Sequence, residues 1–158
     1  DLPVPREYVF FRYWLPVFSW MAVIFFMSTG LGAGSNTSRI FAPFLEFLFF
    51  DIQAETIEGL QLMLRKVAHF GEYFVLACLL WRAMSRVKAD SCAWSWIRAG
   101  QGFVICVAYA ISDEFHQSFV AERVGTVGDV LIDSLGVVAG LATMWLWQRS
   151  RRCPPSAN

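Results

Sequence analysis

The chain has 158 residues, of which 56% are hydrophobic and only 16% charged, and its formal net charge is zero. Soluble domains usually contain about 45–50% apolar and about 25% charged residues, so this composition indicates a membrane protein and not an ordinary soluble domain. The sequence contains no basic stripe with interleaved aromatic residues, and we therefore predict no nucleic-acid partner.

Four stretches are long and apolar enough to be predicted as membrane-spanning helices. They run from about Tyr8 to Met27, from Lys66 to Met84, from Ala99 to Phe119 and from Val127 to Trp147. Each has about 20 residues, which at about 1.5 Å per residue matches a hydrocarbon core of about 30 Å. We therefore predict an all-α, polytopic membrane protein with four transmembrane helices.

A long segment separates the first two predicted spans. Residues 30–38 are rich in glycine and serine, which is typical of a flexible linker. The stretch Ile40–Phe50 is very apolar but too short to span, so we predict an interfacial or re-entrant element. Residues 51–64 alternate acidic with apolar side chains, a pattern that predicts a helix lying on the membrane surface.

The lysines and arginines predict the orientation of the chain in the membrane. With the N-terminus inside, nine of these residues fall in cytoplasmic segments and four in outer segments. The outer four are Arg39, Arg65, Lys66 and Arg123. Because basic residues concentrate on the cytoplasmic side, we predict that both termini are cytoplasmic.

The chain is predicted to form one membrane domain over residues 1–158. The core of this domain covers about residues 13–147, and a short basic tail at 149–158 follows on the cytoplasmic side. The four cysteines have neither CxxC nor zinc-ligand spacing, so they indicate no metal centre of that kind.

An unusual number of ionisable side chains lies in or beside the predicted spans. They are His69, Glu72, Asp113, Glu114, His116, Asp129 and Asp133. Such a side chain near hydrocarbon costs about 2.5–3.5 kcal/mol on insertion scales, so it normally has a partner or a function. The predicted topology brings the start of the second span, the end of the third and the start of the fourth to the outer side. We therefore expect these groups to meet at one depth, near the outer membrane surface.

Helix periodicity places polar and small residues on common faces of the predicted spans. These faces are Lys66, His69, Tyr73 and Ala77 on the second span, Gly102, Cys106, Tyr109, Asp113 and Gln117 on the third, and Asp129, Asp133, Gly136, Gly140 and Thr143 on the fourth. Gly136 and Gly140 have the GxxxG spacing that lets a neighbouring helix approach closely. The polar groups are therefore expected to point into the bundle.

Two interpretations of this cluster are open. It can have a purely structural role and hold the helices together, with His69 and Glu72 hydrogen-bonded and Arg123 neutralising Asp113, Glu114 or Asp129. It can instead be a ligand-binding or catalytic site. A purely structural role needs only one or two polar pairs, so the larger number of polar groups favours a functional site.

Two stretches of the sequence resemble the VanZ-like family of membrane proteins. Residues 65–73 (RKVAHFGEY) resemble the signature of its second helix, and residues 113–119 (DEFHQSF), followed by Arg123, Asp129, Gly136 and Gly140, resemble the remainder. The resemblance covers roughly residues 13–147. The chain departs from the family pattern in having Ala121-Glu122 where Pro-Gly is usual and Asp133 where Asn is common.

The resemblance implies a small helical bundle in the bacterial cell (inner) membrane. The family's namesake is associated with low-level resistance to teicoplanin, a glycopeptide that binds lipid-linked wall precursors. By carry-over, the functional candidates are Lys66, His69, Glu72, Tyr73, Asp113, Glu114, His116, Gln117, Arg123 and Asp129. We add Asp133 from its position on the polar face of the fourth span.

Three functions compete at this stage. In the first, the cluster binds or shields a lipid-linked headgroup or a glycopeptide, with Lys66 and Arg123 contacting a phosphate. In the second, the protein is an enzyme in which His69 or His116 is a base and Glu114 is an acid or an orienting group. The third, transport, is disfavoured because the cytoplasmic halves of the second and fourth spans lack ionisable groups.

The expected partners are membrane lipids and a lipid-linked cell-wall precursor or a glycopeptide, and self-association is open. Two histidines with Asp113, Glu114 and Glu72 could hold a divalent metal ion. The sequence contains neither HExxH nor GxSxG, however, so we predict no metal and no cofactor and assign no catalytic residue.

Overall fold

A computed structural model describes residues 6–29, 54–86, 94–119 and 126–150, which contain four α-helices and no strand. Helix α1 is Arg6–Ser28, α2 is Ala54–Arg86, α3 is Trp96–Gln117 and α4 is Val127–Ser150. The predicted all-α class is confirmed for these segments. The predicted element at Ile40–Phe50 lies outside the described residues.

Helix α2 differs from the prediction at its start. The sequence predicts a surface helix over residues 51–64; the described part of this stretch, 54–64, is helical and forms the first turns of one continuous helix of 33 residues. At about 1.5 Å per residue this helix is about 50 Å long, which exceeds the hydrocarbon core. The junction at residues 60–66 (LQLMLRK) contains only good helix formers and no proline, so nothing there interrupts the helix.

Helix α2 is the centre of the bundle. It packs against α1, α3 and α4, and its most extensive contact is with α4. The buried apolar core consists of Val17, Ile24, Tyr73, Leu76, Ala77, Leu80, Ala83, Cys106, Ala110 and Val137. Several of these side chains are small, so the helix backbones can approach one another closely.

Gly136 and Gly140 lie directly against the backbone of α2. A Cβ atom placed on Gly140 would be 2.6 Å from the carbonyl oxygen of Phe74 and 3.0 Å from the Cβ of Ala77. A Cβ atom on Gly136 would overlap the carbonyl oxygen of Phe70. These obstacles are mostly backbone atoms, which cannot rotate away. The glycine pair therefore sets how closely α4 approaches α2.

Two side chains fix the depth of α1 relative to its neighbours. The Trp20 indole N–H donates a hydrogen bond to the carbonyl oxygen of Glu72 at 2.9 Å. The Tyr109 hydroxyl donates to the carbonyl oxygen of Met21 at 2.7 Å. Polar bonds of this kind join helices where apolar packing alone allows sliding.

Arginines stack on aromatic rings at one end of the bundle, where α1 and α3 begin and α2 and α4 end. The pairs are Arg12 over Tyr8, Arg82 over Tyr13, Arg98 over Trp81 and Arg149 over Trp145. Each guanidinium carbon lies between 5.2 and 5.9 Å from its ring centroid. We call this end of the bundle the aromatic–basic belt.

Two of the described helices are long and apolar enough to cross a membrane, over Phe10–Ser28 and Val127–Ser150. Only 11% of the first stretch and 22% of the second is buried within the structure. The core helices of soluble proteins, in contrast, are mostly buried. Helix α2 carries seven Asp, Glu, Lys and Arg residues, whereas each of the other three helices carries three. The finding therefore supports a membrane protein with two candidate spans.

Candidate functional site

Seven buried polar side chains meet where α1 and α3 end and α4 begins. They belong to Ser28, His69, Asp113, Glu114, Gln117, Asp129 and Asp133, and each of these residues, backbone included, is at most 7% exposed. We call them the polar cluster. The polar cluster lies at the opposite end of the bundle from the aromatic–basic belt. The bundle therefore has a cationic aromatic end and a buried acidic end.

The centre of the polar cluster is His69, on α2. Its Nδ1 atom lies 3.1 Å from Oδ1 of Asp133, on α4, and 3.9 Å from Oε1 of Glu114, on α3. Glu114 Oε2 accepts a hydrogen bond from the backbone N–H of Thr126 at 3.0 Å, immediately before α4. Three helices are thus joined through one histidine and two carboxylates.

The glycine pair explains why His69 and Asp133 meet. His69 precedes Phe70, whose carbonyl oxygen faces Gly136, and Asp133 lies about one helical turn before Gly136. The close approach of the two backbones brings the short Asp133 side chain within hydrogen-bonding distance of the imidazole. Packing and site geometry therefore depend on the same contact.

A second network connects α1 to α3. The Ser28 hydroxyl donates to Oδ2 of Asp113 at 2.7 Å. The Gln117 amide donates to the same oxygen at 3.0 Å and to the Ser28 hydroxyl at 3.2 Å. Asp113 and Gln117 are separated by one turn of α3, so helix periodicity aligns them and Ser28 closes the network from the end of α1.

Arg65 lies at the rim of the polar cluster. Its guanidinium donates to Oε1 of Gln117 at 3.2 Å and to Oδ2 of Asp129 at 3.5 Å. The Arg65 side chain is 33% exposed, whereas that of Asp129 is 10% exposed. A permanently charged group therefore joins the buried acids to the surroundings.

Several buried atoms of this region accept or donate no hydrogen bond within the described segments. They are Oδ1 of Asp113, Oε1 of Glu114, Oδ2 of Asp133 and the hydroxyl of Tyr73. A buried polar group without a partner costs about 1–3 kcal/mol. The arrangement thus favours a site that takes up a cation or hydrogen-bonding groups.

The other predicted site residues lie outside this centre. His116 is half-buried, and its ring centroid is 4.7 Å from that of Phe25, on the side facing α1. Lys66 is exposed. Glu72 is half-buried one turn beyond His69, and its carbonyl accepts the Trp20 bond. Tyr73 is fully buried in the apolar core.

Sequence reasoning named Lys66 as the cation of α2 and missed Arg65 and Ser28. Arg65 is four residues before His69, so the two lie about 40° apart around the helix, closer than Lys66 and His69 at about 60°. This spacing could have identified Arg65. Ser28 had only its position at the end of the first span as a signal. The predicted cation Arg123 lies outside the described residues.

The chain matches the VanZ/LLP1 family over residues 13–148. The match includes the polar cluster, Arg65 and the glycine pair. Comparison with curated proteins gives no match, and comparison with solved structures gives none. Because the match covers most of the chain, the protein belongs to the VanZ/LLP1 family, and this membership agrees with the two membrane-compatible helices.

Proposed function

We propose that this VanZ/LLP1 protein spans the bacterial inner membrane four times and binds a lipid-linked component of the envelope at the outer surface. One observation carries the proposal: an incompletely hydrogen-bonded polar cluster lies at one end of a bundle whose outside is apolar. A polar cluster buried this way near lipid is costly unless it has a function.

Outward-facing apolar side chains on all four helices support four spans. Examples are Phe11 and Phe26 on α1, Met63 and Val67 on α2, Val104 and Phe115 on α3, and Leu131 and Leu135 on α4. Monomeric soluble proteins rarely expose apolar patches larger than about a few hundred Å². Lipid around the whole bundle accounts for this surface, with Asp113 and Glu114 of α3 buried inside the bundle.

The aromatic–basic belt supports an orientation with both termini in the cytoplasm. Arginines concentrate on the cytoplasmic side of membrane proteins, and tryptophan and tyrosine concentrate at the interfaces. The belt meets both criteria at the end where α1 begins and α4 ends. In this orientation the polar cluster lies near the outer surface.

The charges and hydrogen-bonding groups of the cluster suit a phosphorylated headgroup. Arg65 can contact a phosphate from the rim, where its planar guanidinium forms paired hydrogen bonds. The carboxylates behind it can accept hydrogen bonds from sugar or peptide groups. Arg65 thus takes the role first assigned to Lys66, and Arg123 stays a predicted second contact.

A lipid-linked cell-wall precursor has the required chemistry, and so does a glycopeptide bound to that precursor. Occupying or shielding such a complex would reduce the effect of a glycopeptide that depends on it. We therefore propose that the protein contributes to low-level resistance of the teicoplanin type, as the family resemblance implies.

Binding can be tested with a fluorescent polyprenyl-diphosphate-linked muropeptide and the full chain in lipid nanodiscs. We expect saturable binding to wild type. A hydrogen bond to a charged group contributes about 1.5–3 kcal/mol, so Arg65→Gln should weaken binding about 10- to 150-fold. Lys66→Gln removes the same charge from the next, exposed residue and should bind like wild type. Equal affinity of both variants would contradict the proposed role of Arg65.

A membrane-embedded enzyme is a second candidate, favoured by the contact of 3.1 Å between His69 and Asp133. A histidine oriented by a carboxylate can serve as a general base on a bound lipid-linked substrate. Mass analysis of the same muropeptide after incubation distinguishes the candidates. Product that forms with wild type and not with His69→Gln would establish catalysis, whereas an unchanged probe favours binding.

A further inference from the structure

We propose that His69, Glu114 and Asp133 bind a divalent transition-metal ion inside the bundle. One ligand atom from each residue lies within 4.8 Å of the other two. The three residues belong to α2, α3 and α4, so a bound ion would also join these helices. The proposal extends beyond lipid binding, since it requires no lipid-linked ligand.

The distances between the three residues fit a shared ion. Two ligands that each lie about 2.1 Å from a metal are separated by about 3.0 Å at a right angle and about 4.2 Å when opposite. The Nδ1 atom of His69 lies 3.1 Å from Asp133 Oδ1 and 3.9 Å from Glu114 Oε1. Both distances fall within this range, and the third pair of ligand atoms lies within 4.8 Å, so side-chain adjustments of a few tenths of an ångström bring all three to a shared ion.

An independent observation is the hydrogen bonding of Asp133. This residue is 0% exposed, yet its Oδ2 atom has no hydrogen-bond partner in the described parts of the chain. Glu114 Oε1 also lacks a hydrogen bond there, although it lies toward the imidazole. Oxygen lone pairs that are buried and unused beside a histidine nitrogen are what a cation requires.

The charges of the polar cluster agree with this assignment. In the described segments, the buried carboxylates are Asp113, Glu114, Asp129 and Asp133. The cationic groups in contact with them are Arg65, which pairs with Asp129, and His69 when it is protonated. Buried charges are strongly unfavourable without compensation. A divalent ion would neutralise Glu114 and Asp133, which form no ion pair with an arginine or lysine of the described segments.

The donor set indicates the class of ion. Imidazole nitrogen suits zinc and other transition metals, and carboxylate oxygen also suits manganese. One histidine with two carboxylates therefore favours Zn²⁺ or Mn²⁺ over Mg²⁺ or Ca²⁺. Three protein ligands leave a position for water or for an oxygen of a bound phosphate. This proposal replaces the expectation of a metal-free site, and it uses Asp133 in place of His116, Asp113 and Glu72.

The competing explanation is a hydrogen-bonded His69–Asp133 pair without metal, and direct metal analysis distinguishes the two. The full chain in detergent is stripped with a chelator, dialysed against Zn²⁺ or Mn²⁺, and assayed for bound metal by mass spectrometry. We expect about one equivalent for wild type, and at least tenfold weaker binding for Asp133→Asn and Glu114→Gln. Glu58→Gln, which removes an exposed carboxylate from α2, should bind like wild type.

Two further measurements keep the test decisive if a variant folds poorly. Circular dichroism of each metal-free variant reports its helix content, and Glu114→Gln is the milder change because its amide oxygen can still accept the Thr126 bond. X-ray absorption of zinc-loaded wild type should show one imidazole, oxygen ligands and no sulfur. Absence of bound metal in wild type, a sulfur ligand, or wild-type affinity in a folded Asp133→Asn protein would overturn the proposal.

Discussion

Replacing Gly136 by alanine should loosen the α2–α4 contact and the site together. The new Cβ atom would overlap the carbonyl oxygen of Phe70 and lie 3.2 Å from the backbone nitrogen of Phe74. Backbone atoms cannot move aside, so the helices must separate, and the His69–Asp133 distance of 3.1 Å must increase. Overpacking costs about 1–3 kcal/mol and a lost hydrogen bond about 1 kcal/mol. The free energy of unfolding should therefore fall by about 2–4 kcal/mol.

Unfolding of the purified protein by a denaturing detergent, followed by circular dichroism, measures this effect. Gly71→Ala is the matched control on α2, because a Cβ atom there meets nothing within 4 Å. Alanine favours a helix over glycine by about 1 kcal/mol, so the control should be neutral or slightly more stable. Wild-type stability of Gly136→Ala, or equal loss in both variants, would refute the packing argument.

The remaining predictions concern hydrogen bonds between helices. Ser28→Ala removes a donor to the buried carboxylate of Asp113 and should lower the free energy of unfolding by about 1–3 kcal/mol in the same assay. Tyr109→Phe removes the bond to the Met21 carbonyl and should lower it by about 0.5–1.5 kcal/mol. Ser134→Ala removes a hydroxyl that donates to the Val130 carbonyl of the same helix, so this variant should be nearly neutral. If Ser134→Ala lowered the free energy of unfolding as much as the other two variants, the hydrogen bonds between helices would have no specific effect on stability.

Hydropathy and helix periodicity predicted the helices and the inward position of His69, Asp113, Glu114, Asp129 and Asp133, because both depend on local pattern. The α1, α3 and α4 boundaries agree with the predicted ones within about three residues, as is usual for helix ends. Residues 54–64 are helical as predicted, but their continuity with the rest of α2 was not foreseen. Alternating acidic and apolar residues fit a surface helix and the start of a longer helix equally well.

The rotation of each helix was harder to predict than its existence. Neighbouring residues differ by about 100° around a helix, so a small error exchanges Arg65 for Lys66 at the site. The actual rotation follows from tertiary contacts, above all the fit of the glycine pair against α2. His116 shows the same effect, since its ring faces Phe25 although it is next to residues of the polar cluster in sequence.

The most direct test of the proposed function is glycopeptide susceptibility in a sensitive bacterial host. The host would express wild type, Glu114→Gln or the surface control Glu58→Gln at matched membrane levels. We predict that wild type and Glu58→Gln protect against teicoplanin more than against vancomycin, and that Glu114→Gln does not protect. Full protection by Glu114→Gln, or none by wild type, would contradict a role for the polar cluster in glycopeptide resistance.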